Sequence, residues 1–374
     1  MQKEKFKYIF SFQKKSKIKA GDGLKLGDGT YPFYTSSNVL TKSLNEYLFE
    51  QESLIFGTGG LASIHHCNEK FAVSTDCFVT QPIDSKKVYP KFIYYFLSGN
   101  IHILENGFKG AGLKHISKDY LENIEIPLPA LPTQQKIASI LDKADELRQY
   151  NQQLIEKYDA LTQSLFLDMF GDPVKNEKGW SLVPADKHID LLTGFAFKSE
   201  LYSKNPNHIR ICGGLIIMPW GIEWSKSNRW DLSNSINLDK YQLKIDDIVM
   251  AMDRPWIGSG FKIAQIKKED LPSLLVQRTA RIRSNDFNPK FLFHFYNSLG
   301  FEKHAKPTET TVPHISPKDI KSYLLFDVPI ELQNQFAERI TLIEVQKQQA
   351  QEALAKSELL FQGLLQQAFN GELN

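Results

Sequence analysis

Hydrophobic residues recur in steps of three and four from Pro132 to Phe170, a stretch closed by Gly171-Asp172-Pro173. The recurring positions are Ile137, Ile140, Ala144, Leu147, Leu154, Tyr158, Leu161 and Leu165. This spacing is that of a heptad seam and predicts one long helix. Since Gly accepts the left-handed cap and Pro cannot extend a helix, the helix should end at Phe170. At about 1.5 Å per residue it measures roughly 55 Å, and it needs a partner helix to bury its seam.

The chain supplies that partner, because the sequence repeats itself at an offset of 199 residues from about Tyr89 to Phe170. The clearest matches are His115-Ile116-Ser117 with His314-Ile315-Ser316, Pro90-Lys91-Phe92 with Pro289-Lys290-Phe291, Gln134 with Gln333, and Phe170 with Phe369. A second long helix is therefore predicted from about Glu331 to Phe369, ending at Asn370-Gly371. One offset across this span indicates a tandem duplication, in which a lobe is followed by a long helix twice.

Short apolar runs separated by glycine-rich turns predict that each lobe mixes strands with short helices. Strands are expected at Tyr31-Pro32-Phe33-Tyr34, Ser53-Leu54-Ile55-Phe56 and 278–283, and a short helix is expected from Pro90 to Leu97. The fold class is then α+β, with lobes at 1–129 and 173–328 and long helices at 130–172 and 329–374. If the two helices pack antiparallel as a coiled coil, a pseudo-twofold axis should relate the lobes.

The net charge of +2 conceals an uneven distribution along the chain. Residues 1–129 carry a net charge of +3 and residues 173–328 carry +5, whereas each helical segment carries −3. Two basic lobes on acidic helices favour a polyanionic partner contacted at two places, because Lys and Arg contacts to phosphate supply much of the energy of nucleic-acid binding.

Several other kinds of site are disfavoured. Gly57-Thr58-Gly59-Gly60 lacks the Gly-Lys-Ser/Thr of a phosphate-binding loop and is better interpreted as a tight turn. The neighbours His65 and His66 should point to opposite faces of a strand and have no third ligand nearby, so we expect no metal. Cys67, Cys77 and Cys212 form no metal or disulfide pattern, and no run approaches a membrane span. A cytoplasmic protein is therefore expected.

The order of parts resembles the DNA specificity subunit of bacterial Type I restriction-modification systems across all 374 residues. The residues that carry the resemblance are His115-Ile116-Ser117, Ile126-Pro127-Leu128-Pro129, Gln134-Gln135-Lys136-Ile137-Ala138 and, in the second half, Leu332-Gln333-Asn334-Gln335-Phe336. In that family, two target-recognition domains alternate with two helical spacers. The second half departs from the pattern in having only Val328-Pro329 where the first half has a longer proline-containing run.

The resemblance implies a non-catalytic subunit whose lobes read the halves of a bipartite DNA site while its helices set the gap. It implies methyltransferase subunits, two in number, and restriction or translocase subunits as partners. The glutamines expected on the outer helix faces and available for docking are Gln134, Gln135, Gln152, Gln153, Gln348 and Gln349. S-adenosylmethionine belongs to the methyltransferase, and ATP and Mg²⁺ to the restriction subunit. The sequence agrees, since Asn288-Pro289-Lys290-Phe291 has a lysine where an adenine methyltransferase has its second proline, and this chain needs no cofactor.

The predicted DNA contacts are residues with donors that suit bases or phosphates. In the second lobe, Arg side chains can bind guanine with two hydrogen bonds. The predicted residues there are Arg254, Trp256, Arg278, Arg281, Arg283, Lys306, Thr308 and Thr310, and those of the first lobe are Thr58, Lys70, Lys109 and Lys114. Residues of these types are more often ordinary surface than base contacts.

Two alternative functions stay open on the sequence alone. The first is a free-standing DNA-binding regulator, which would bind DNA without a methyltransferase. The second is a coiled-coil protein scaffold with no nucleic-acid partner. Asn151 also has two interpretations, either a buried polar residue that fixes the register of the helices or a residue at the solvated margin of the seam.

Overall fold

The computed structural model describes residues 3–234, 237–305 and 313–373. It divides into two compact units. Unit 1 comprises Met1–Leu154 with Gln349–Asn374, and unit 2 comprises Ile155–Gln348. Each unit thus combines one lobe with part of each long helix, whereas the sequence boundaries treat the helices as separate segments.

Unit 1 contains twelve short strands and four short helices within its described residues. In chain order they are β1 (Lys3–Lys5), α1 (Phe6–Ile9), β2 (Phe10–Phe12), β3 (Leu24–Lys25), β4 (Tyr31–Tyr34), β5 (Lys42–Leu44), β6 (Ser53–Gly57), β7 (Ile64–Cys67), β8 (Ala72–Val73), β9 (Cys77–Pro82), α2 (Pro90–Gly99), α3 (His102–Glu105), β10 (Phe108–Lys109), β11 (His115–Ile116), α4 (Lys118–Glu122) and β12 (Glu125–Pro127). The long helix α5 (Leu131–Phe170) follows. A single 3-10 turn lies at Ala20–Asp22.

Unit 2 follows a similar plan with more irregular connections. Its elements are β13 (Leu182–Pro184), β14 (Ile189–Thr193), β15 (Ile209–Cys212), β16 (Ile217–Met218), β17 (Gly221–Ile222), β18 (Arg229–Trp230), β19 (Ile248–Ala251), β20 (Trp256–Ile257), β21 (Gly260–Phe261), β22 (Ile263–Gln265), β23 (Ser273–Leu275), β24 (Thr279–Ser284), α6 (Pro289–Tyr296), α7 (Leu299–His304), α8 (Pro317–Ser322) and β25 (Leu324–Phe326), and the long helix α9 (Ile330–Asn370) follows. Short 3-10 helices lie at Ala185–Lys187, Ser199–Leu201, Trp224–Lys226, Leu232–Asn234, Asp239–Tyr241 and Lys268–Asp270.

The central sheets of the two units share one topology. Unit 1 has the order β2-β9-β6-β7 and unit 2 has the order β14-β24-β19-β22, and every pair in both sheets is antiparallel. In each unit the strand before this sheet pairs with the strand that precedes a long helix, β1 with β12 and β13 with β25. The second sheets differ, with order β3-β5-β4-β8 in unit 1 and β18-β15-β23 in unit 2. The predicted α+β class and duplicated scaffold are confirmed, and the units diverge in their middle parts.

Aromatic side chains fill both cores and attach the long helices to them. In unit 1, Phe6, Phe56 and Phe92 pack in one cluster with Ile137 of α5 and Leu365 of α9. The equivalent cluster of unit 2 contains Phe170 of α5 and Phe336 of α9, whose rings are 5.2 Å apart. Burial of such rings contributes much of the stability of a domain of this size.

The helices run antiparallel within each unit. In unit 1, Arg148 lies over the ring of Phe361 at 4.7 Å, and Asn151 donates to the hydroxyl of Ser357 at 3.4 Å. A step forward along α5 thus corresponds to a step backward along α9. Asn151 is 6% exposed, so of its two interpretations the structure supports the buried polar residue of the seam. In unit 2, Asp159 pairs with Lys347 while Phe170 packs on Phe336.

Both helix ends follow the sequence prediction. Gly171 and Gly371 adopt φ values of +83° and +84°, the left-handed conformation that glycine takes without a Cβ penalty. The seam itself is less regular than predicted, because Leu147 and Leu161 are 46% and 49% exposed. An α-helix has 3.6 residues per turn, so a strict seven-residue pattern drifts away from a straight partner.

Candidate nucleic-acid interface

A set of backbone hydrogen bonds closes the end of the central strand β6 in unit 1. The N–H of Thr58 donates to the carbonyl of Asp76 at 2.9 Å, and the carbonyl of Thr58 accepts from the N–H of Ile116 at 3.1 Å. The next residue, Gly59, forms a β-bridge with His115. We call this arrangement the strand-end frame. It brings three separate chain segments to one place, and it leaves Thr58 buried as part of a turn.

His115 is fixed in the frame by its ring. Its Nδ1 lies 3.1 Å from the carbonyl oxygen of Thr58. A carbonyl only accepts, so Nδ1 carries the proton and donates. Lys109 is the exposed last residue of β10, and Lys114 lies in the exposed turn that leads to β11. The carbonyl of Lys114 accepts from the N–H of Gly60 at 3.4 Å. The predicted pair of lysines therefore lies beside the strand end.

Unit 2 builds the same frame from different residues. The N–H of Met252 donates to the carbonyl of Arg278 at 3.0 Å, and the carbonyl of Met252 accepts from the N–H of Ile315 at 2.8 Å. Asp253 forms the β-bridge with His314. The repeated His-Ile-Ser segments of the sequence thus serve the same purpose in both units, which is to fasten a late chain segment to the end of the central strand.

A polar cluster occupies the frame of unit 2. The two carboxylate oxygens of Asp253 accept from Nδ1 of His314 at 2.7 Å and from Nη1 of Arg278 at 2.8 Å. Burial would raise the pKa of the Asp253 carboxyl, but these two hydrogen bonds hold that pKa below its usual value. The ionised carboxylate therefore holds one histidine and one arginine side by side. We call these three residues the Asp253 cluster.

Two arginines at this strand end have unusual backbone geometry. Arg254 and Arg278 adopt φ values of +46° and +62°, and Gly60, at the position of unit 1 that corresponds to Arg254, has a φ of +84°. The frame shows the correspondence, because the N–H of Arg254 donates to the carbonyl of Pro313 at 2.9 Å. A left-handed non-glycine residue costs of order 1–3 kcal/mol, and such residues cluster at functional sites.

Arg278 of the cluster and the neighbouring Arg254 are exposed, while Trp256 belongs to the packing beneath them. The Trp256 ring stacks on Phe261 at 5.4 Å and contacts the core of unit 2. Lys262, which is 6% exposed, has a lowered pKa because burial and the nearby Arg254 both disfavour its charged form. Positive charge is therefore concentrated around this strand end.

The other two predicted arginines are engaged within the sheet. Arg281 is 4% exposed and forms an ion pair with Asp190. Arg283 makes two hydrogen bonds to Asp247, at 2.7 and 2.8 Å, and the Asp247 side chain is fully buried. Both arginines lie on the same face of β24, as their spacing predicts, but that face has acidic partners. In this structure both guanidinium groups are held by these carboxylates, and their contact with DNA stays a prediction.

The remaining predicted residues are dispersed or undescribed. Lys70 lies over the ring of Tyr47 at 4.5 Å, outside the strand-end frame of unit 1. Lys306, Thr308 and Thr310 lie outside the described residues. Two important residues, Asp253 and Asp76, were absent from the sequence prediction. The duplicated His-Ile-Ser segments were the available signal, because His314 bridges Asp253 and Ile116 bonds to Thr58, whose N–H donates to the carbonyl of Asp76.

The described ranges give little support for a metal site. His65 and His66 each have one partner, the carbonyl of Ser37 at 2.8 Å and the carboxylate of Glu52 at 2.7 Å. Across residues 3–234, 237–305 and 313–373, no three His, Cys, Asp or Glu side chains gather as metal ligands. The helices of this part of the chain include none that is both long and apolar enough to cross a membrane.

Sequence comparison places this chain among a group of similar proteins. A family model described as the Type I restriction modification DNA specificity domain matches residues 1–157. The specificity subunit of the Type I restriction enzyme MjaVIII from Methanocaldococcus jannaschii is 28% identical over 300 residues, which cover 73% of this chain and 68% of that protein. The specificity subunit of EcoDI from Escherichia coli is 24% identical over 387 residues, covering 92% of this chain and 83% of its own.

Solved structures show the same fold. A Type I restriction-modification S subunit from M. genitalium superposes with a TM-score of 0.66 at 15% identity, covering 98% of this chain and 95% of that one. A chain from a structure of a type I restriction-modification system gives a TM-score of 0.54 at 16% identity, with coverages of 100% and 98%.

Proposed function

We propose that the chain belongs to the family of Type I restriction-modification DNA specificity subunits that it resembles, and that it reads a bipartite site in double-stranded DNA, one half with each unit. The observation that supports this best is the strand-end frame, which occurs in both units and is surrounded by exposed basic side chains. In unit 1 these are Lys109 and Lys114, and in unit 2 they are Arg254 and Arg278. Arginine and lysine are the residues that proteins use for phosphates and guanine.

The long helices set the distance between the half-sites in this proposal. Each helix is continuous, with 40 residues in α5 and 41 in α9, which is about 60 Å at 1.5 Å per residue. The antiparallel contacts within each unit hold segments of both helices against a lobe. The number of unread base pairs should then depend on helix length and not on the lobes.

Partner subunits perform the chemistry, and the chain itself supplies recognition. We propose that methyltransferase subunits, two in number, dock on the helices, with restriction or translocase subunits joining them. S-adenosylmethionine would belong to the first kind of partner, and ATP with Mg²⁺ to the second. The work of this chain is to place the partners on a chosen DNA sequence.

Exposed side chains on the helices support such docking. In unit 1, a groove between α5 and α9 is lined by Arg148, Gln149, Gln152, Gln153, Leu354 and Glu358. Tyr150 and Leu359 are 57% and 75% exposed, and Leu342 in unit 2 is 69% exposed. Exposed apolar groups with polar surroundings are typical of protein interfaces. Gln134 is a correction to the docking prediction, because it is completely buried and cannot contact a partner.

Mapping of methylated adenines in the source cells tests the proposal. The expected result is a two-part motif separated by a constant number of unspecified bases, which disappears when the gene for this chain is deleted. Replacing the lobe of unit 2 by one from a relative should change one half of the motif and leave the gap unchanged. Methylation that persists without the gene, or a motif without a gap, would contradict the proposal.

A further inference from the structure

The strand-end frame makes one residue of unit 1 equivalent to one residue of unit 2. The carbonyl of Asp76 accepts from Thr58, and the carbonyl of Arg278 accepts from Met252. Each of the two residues also directly precedes the strand that pairs with the end of the central strand. Asp76 and Arg278 lie 202 positions apart, so the sequence offset of 199 does not align them.

These equivalent positions carry opposite charges on exposed side chains. The Arg278 side chain is 70% exposed, and Asp76 is exposed in unit 1. In the major groove, an arginine recognises guanine through its O6 and N7 acceptors, whereas a carboxylate accepts from the N4 amino group of cytosine. Opposite side chains on the same backbone position are therefore suited to opposite members of a G·C pair.

We propose that residues 76 and 278 are the matching specificity-determining side chains of the two units, with Asp76 selecting cytosine and Arg278 selecting guanine. The inference rests on the proposed function that each unit reads one half-site. It adds the residue in each unit that contacts a base and the base that it selects.

Asp253 is the positioning residue for Arg278. One oxygen of its carboxylate accepts from Nη1 of Arg278, and the other accepts from His314, which fixes the carboxylate. Within the described part of the chain, Nη1 is the one guanidinium nitrogen of Arg278 with a hydrogen bond, so Nε and Nη2 keep their donors for a base. An arginine held in this way loses less side-chain freedom on binding.

Unit 1 lacks this carboxylate for a consistent electrostatic reason. Its residue equivalent to Asp253 is Gly59, and His115 therefore donates to the backbone carbonyl of Thr58. A carboxylate at position 59 would repel Asp76, whereas the one at position 253 attracts Arg278. The two frames thus differ as a pair of coupled changes, which supports a functional role for both positions.

A base-selection experiment tests the proposal on the full chain co-expressed with its methyltransferase subunit. The probe is a library of DNA duplexes with randomised base pairs, from which the complex selects. Arg278→Glu should lose the guanine preference, and Arg278→Glu with Asp253→Asn, which removes the charge of the neighbouring carboxylate, should change guanine to cytosine at one position in one half of the selected motif. Asp76→Arg should change cytosine to guanine at one position in the other half. Each preference should shift by about 5- to 150-fold.

Matched variants separate base selection from general charge and from folding. Lys240→Glu makes the same charge change on an exposed residue of unit 2 outside the Asp253 cluster, and it should weaken binding without altering the motif. Arg278→Gln retains most of the side-chain volume and should lose the guanine preference. Asp253→Asn should reduce discrimination at the base pair affected by Arg278 variants and at no other.

The outcomes distinguish the inference from the proposed function. If the unaltered complex selects no bipartite motif, the proposed function fails. If it selects one but Arg278 and Asp76 variants leave every base preference unchanged, or alter positions that are not G·C pairs, only the assignment of these two residues is overturned. If Arg278→Glu does not fold, Arg278→Gln still tests the guanine preference, because it removes the charge without reversing it. Its thermal stability shows whether it is folded.

Discussion

Gln134 of α5 accepts, at its side-chain oxygen, a hydrogen bond from the backbone N–H of Tyr89 at 2.8 Å. Its amide nitrogen donates to the carbonyls of Lys87 and Pro129, each at 2.8 Å. In unit 2, Gln333 repeats the arrangement by accepting from the N–H of Asn288 at 2.9 Å. A buried glutamine thus joins the start of a long helix to the start of a short one in both units.

Replacement of Gln134 by Leu should destabilise unit 1. The change leaves the N–H of Tyr89 and the carbonyls of Lys87 and Pro129 without these partners at a partly buried site, and a fully buried group of this kind costs about 1–3 kcal/mol. Gln135→Leu is the matched control, because Gln135 is exposed on the same helix. Thermal unfolding of the full chain measures the difference. Equal melting temperatures for the two variants would show that the hydrogen bonds of Gln134 add no stability.

The ion pair between Arg283 and Asp247 leads to a second prediction, which concerns stability and not DNA. Arg283→Met leaves the fully buried Asp247 carboxylate without its positive partner, a change that costs about 3 kcal/mol in buried pairs. Unfolding in urea should show a weakened unit 2, and the folded complex should select the same DNA motif as before. A change of motif with unchanged stability would instead place Arg283 among the residues that contact bases.

The control for this pair is the double variant Asp247→Leu with Arg283→Met. Removing both charges avoids an uncompensated buried carboxylate, so the double variant should be more stable than Arg283→Met alone. Asp247 also accepts from the backbone N–H of Lys244 at 2.7 Å, and loss of that bond should keep the double variant below the stability of the unaltered chain.

The amino-acid sequence predicted the scaffold well because its signals are local or repeated. Heptad spacing and the glycine cap placed α5 from Pro132 to Phe170, and the structure has Leu131–Phe170. The ion pairs of individual arginines could not be predicted in this way. The spacing of Arg281 and Arg283 places both on one face of a strand, but it does not reveal the acidic partner of Arg281, Asp190, which is 91 residues earlier in the chain. Such a partner is identified only when the strands are paired.

The strand-end frame shows that sequence comparison of the two halves also misses the residues proposed to contact bases. Asp76 and Arg278 correspond through hydrogen bonds of the backbone, and the segments between the strands have different lengths in the two units. Sequence alignment therefore matches the His-Ile-Ser segments and misses the residues beside them. The histidines were informative because their position is set by the scaffold, whereas the specificity positions have diverged.

His294 gives a third prediction, which is a dependence of stability on pH. Its ring lies among Phe293 and Phe336, at 5.1 and 5.4 Å, and burial followed by the charge of Lys290 lowers its pKa from 6.5 to about 3. The folded state thus disfavours the protonated ring. The free energy of unfolding should therefore fall as the pH drops from 6.5 toward 3, by at most about 1.4 kcal/mol per pH unit, whereas above pH 6.5 this ring causes no such loss.

Melting temperatures measured between pH 7 and pH 4.5 check this dependence. His294→Leu should flatten the decline on the acid side, because no proton is then taken up at this position on unfolding. His102→Leu serves as the control, since His102 is exposed on α3 and should leave the decline unchanged. A decline of the same steepness in all three proteins would mean that the His294 ring accepts its proton in the folded state.

The two lysines of the β10–β11 hairpin give the last prediction, which concerns DNA affinity and salt. Lys109 and Lys114 are exposed next to the frame of unit 1, where contacts to phosphate are expected to be independent of sequence. Lys109→Gln or Lys114→Gln should weaken binding of the complex to specific and unrelated duplexes alike. Each should reduce the slope of log affinity against log salt concentration by about 0.9, the value for one phosphate contact on B-form DNA. Lys86→Gln removes an exposed charge from a different turn of the same unit and should leave the slope unaltered. Fluorescence anisotropy at several salt concentrations separates the cases, because a lysine that contacts a base would change affinity for one motif position, and a lysine remote from DNA would change neither affinity nor slope.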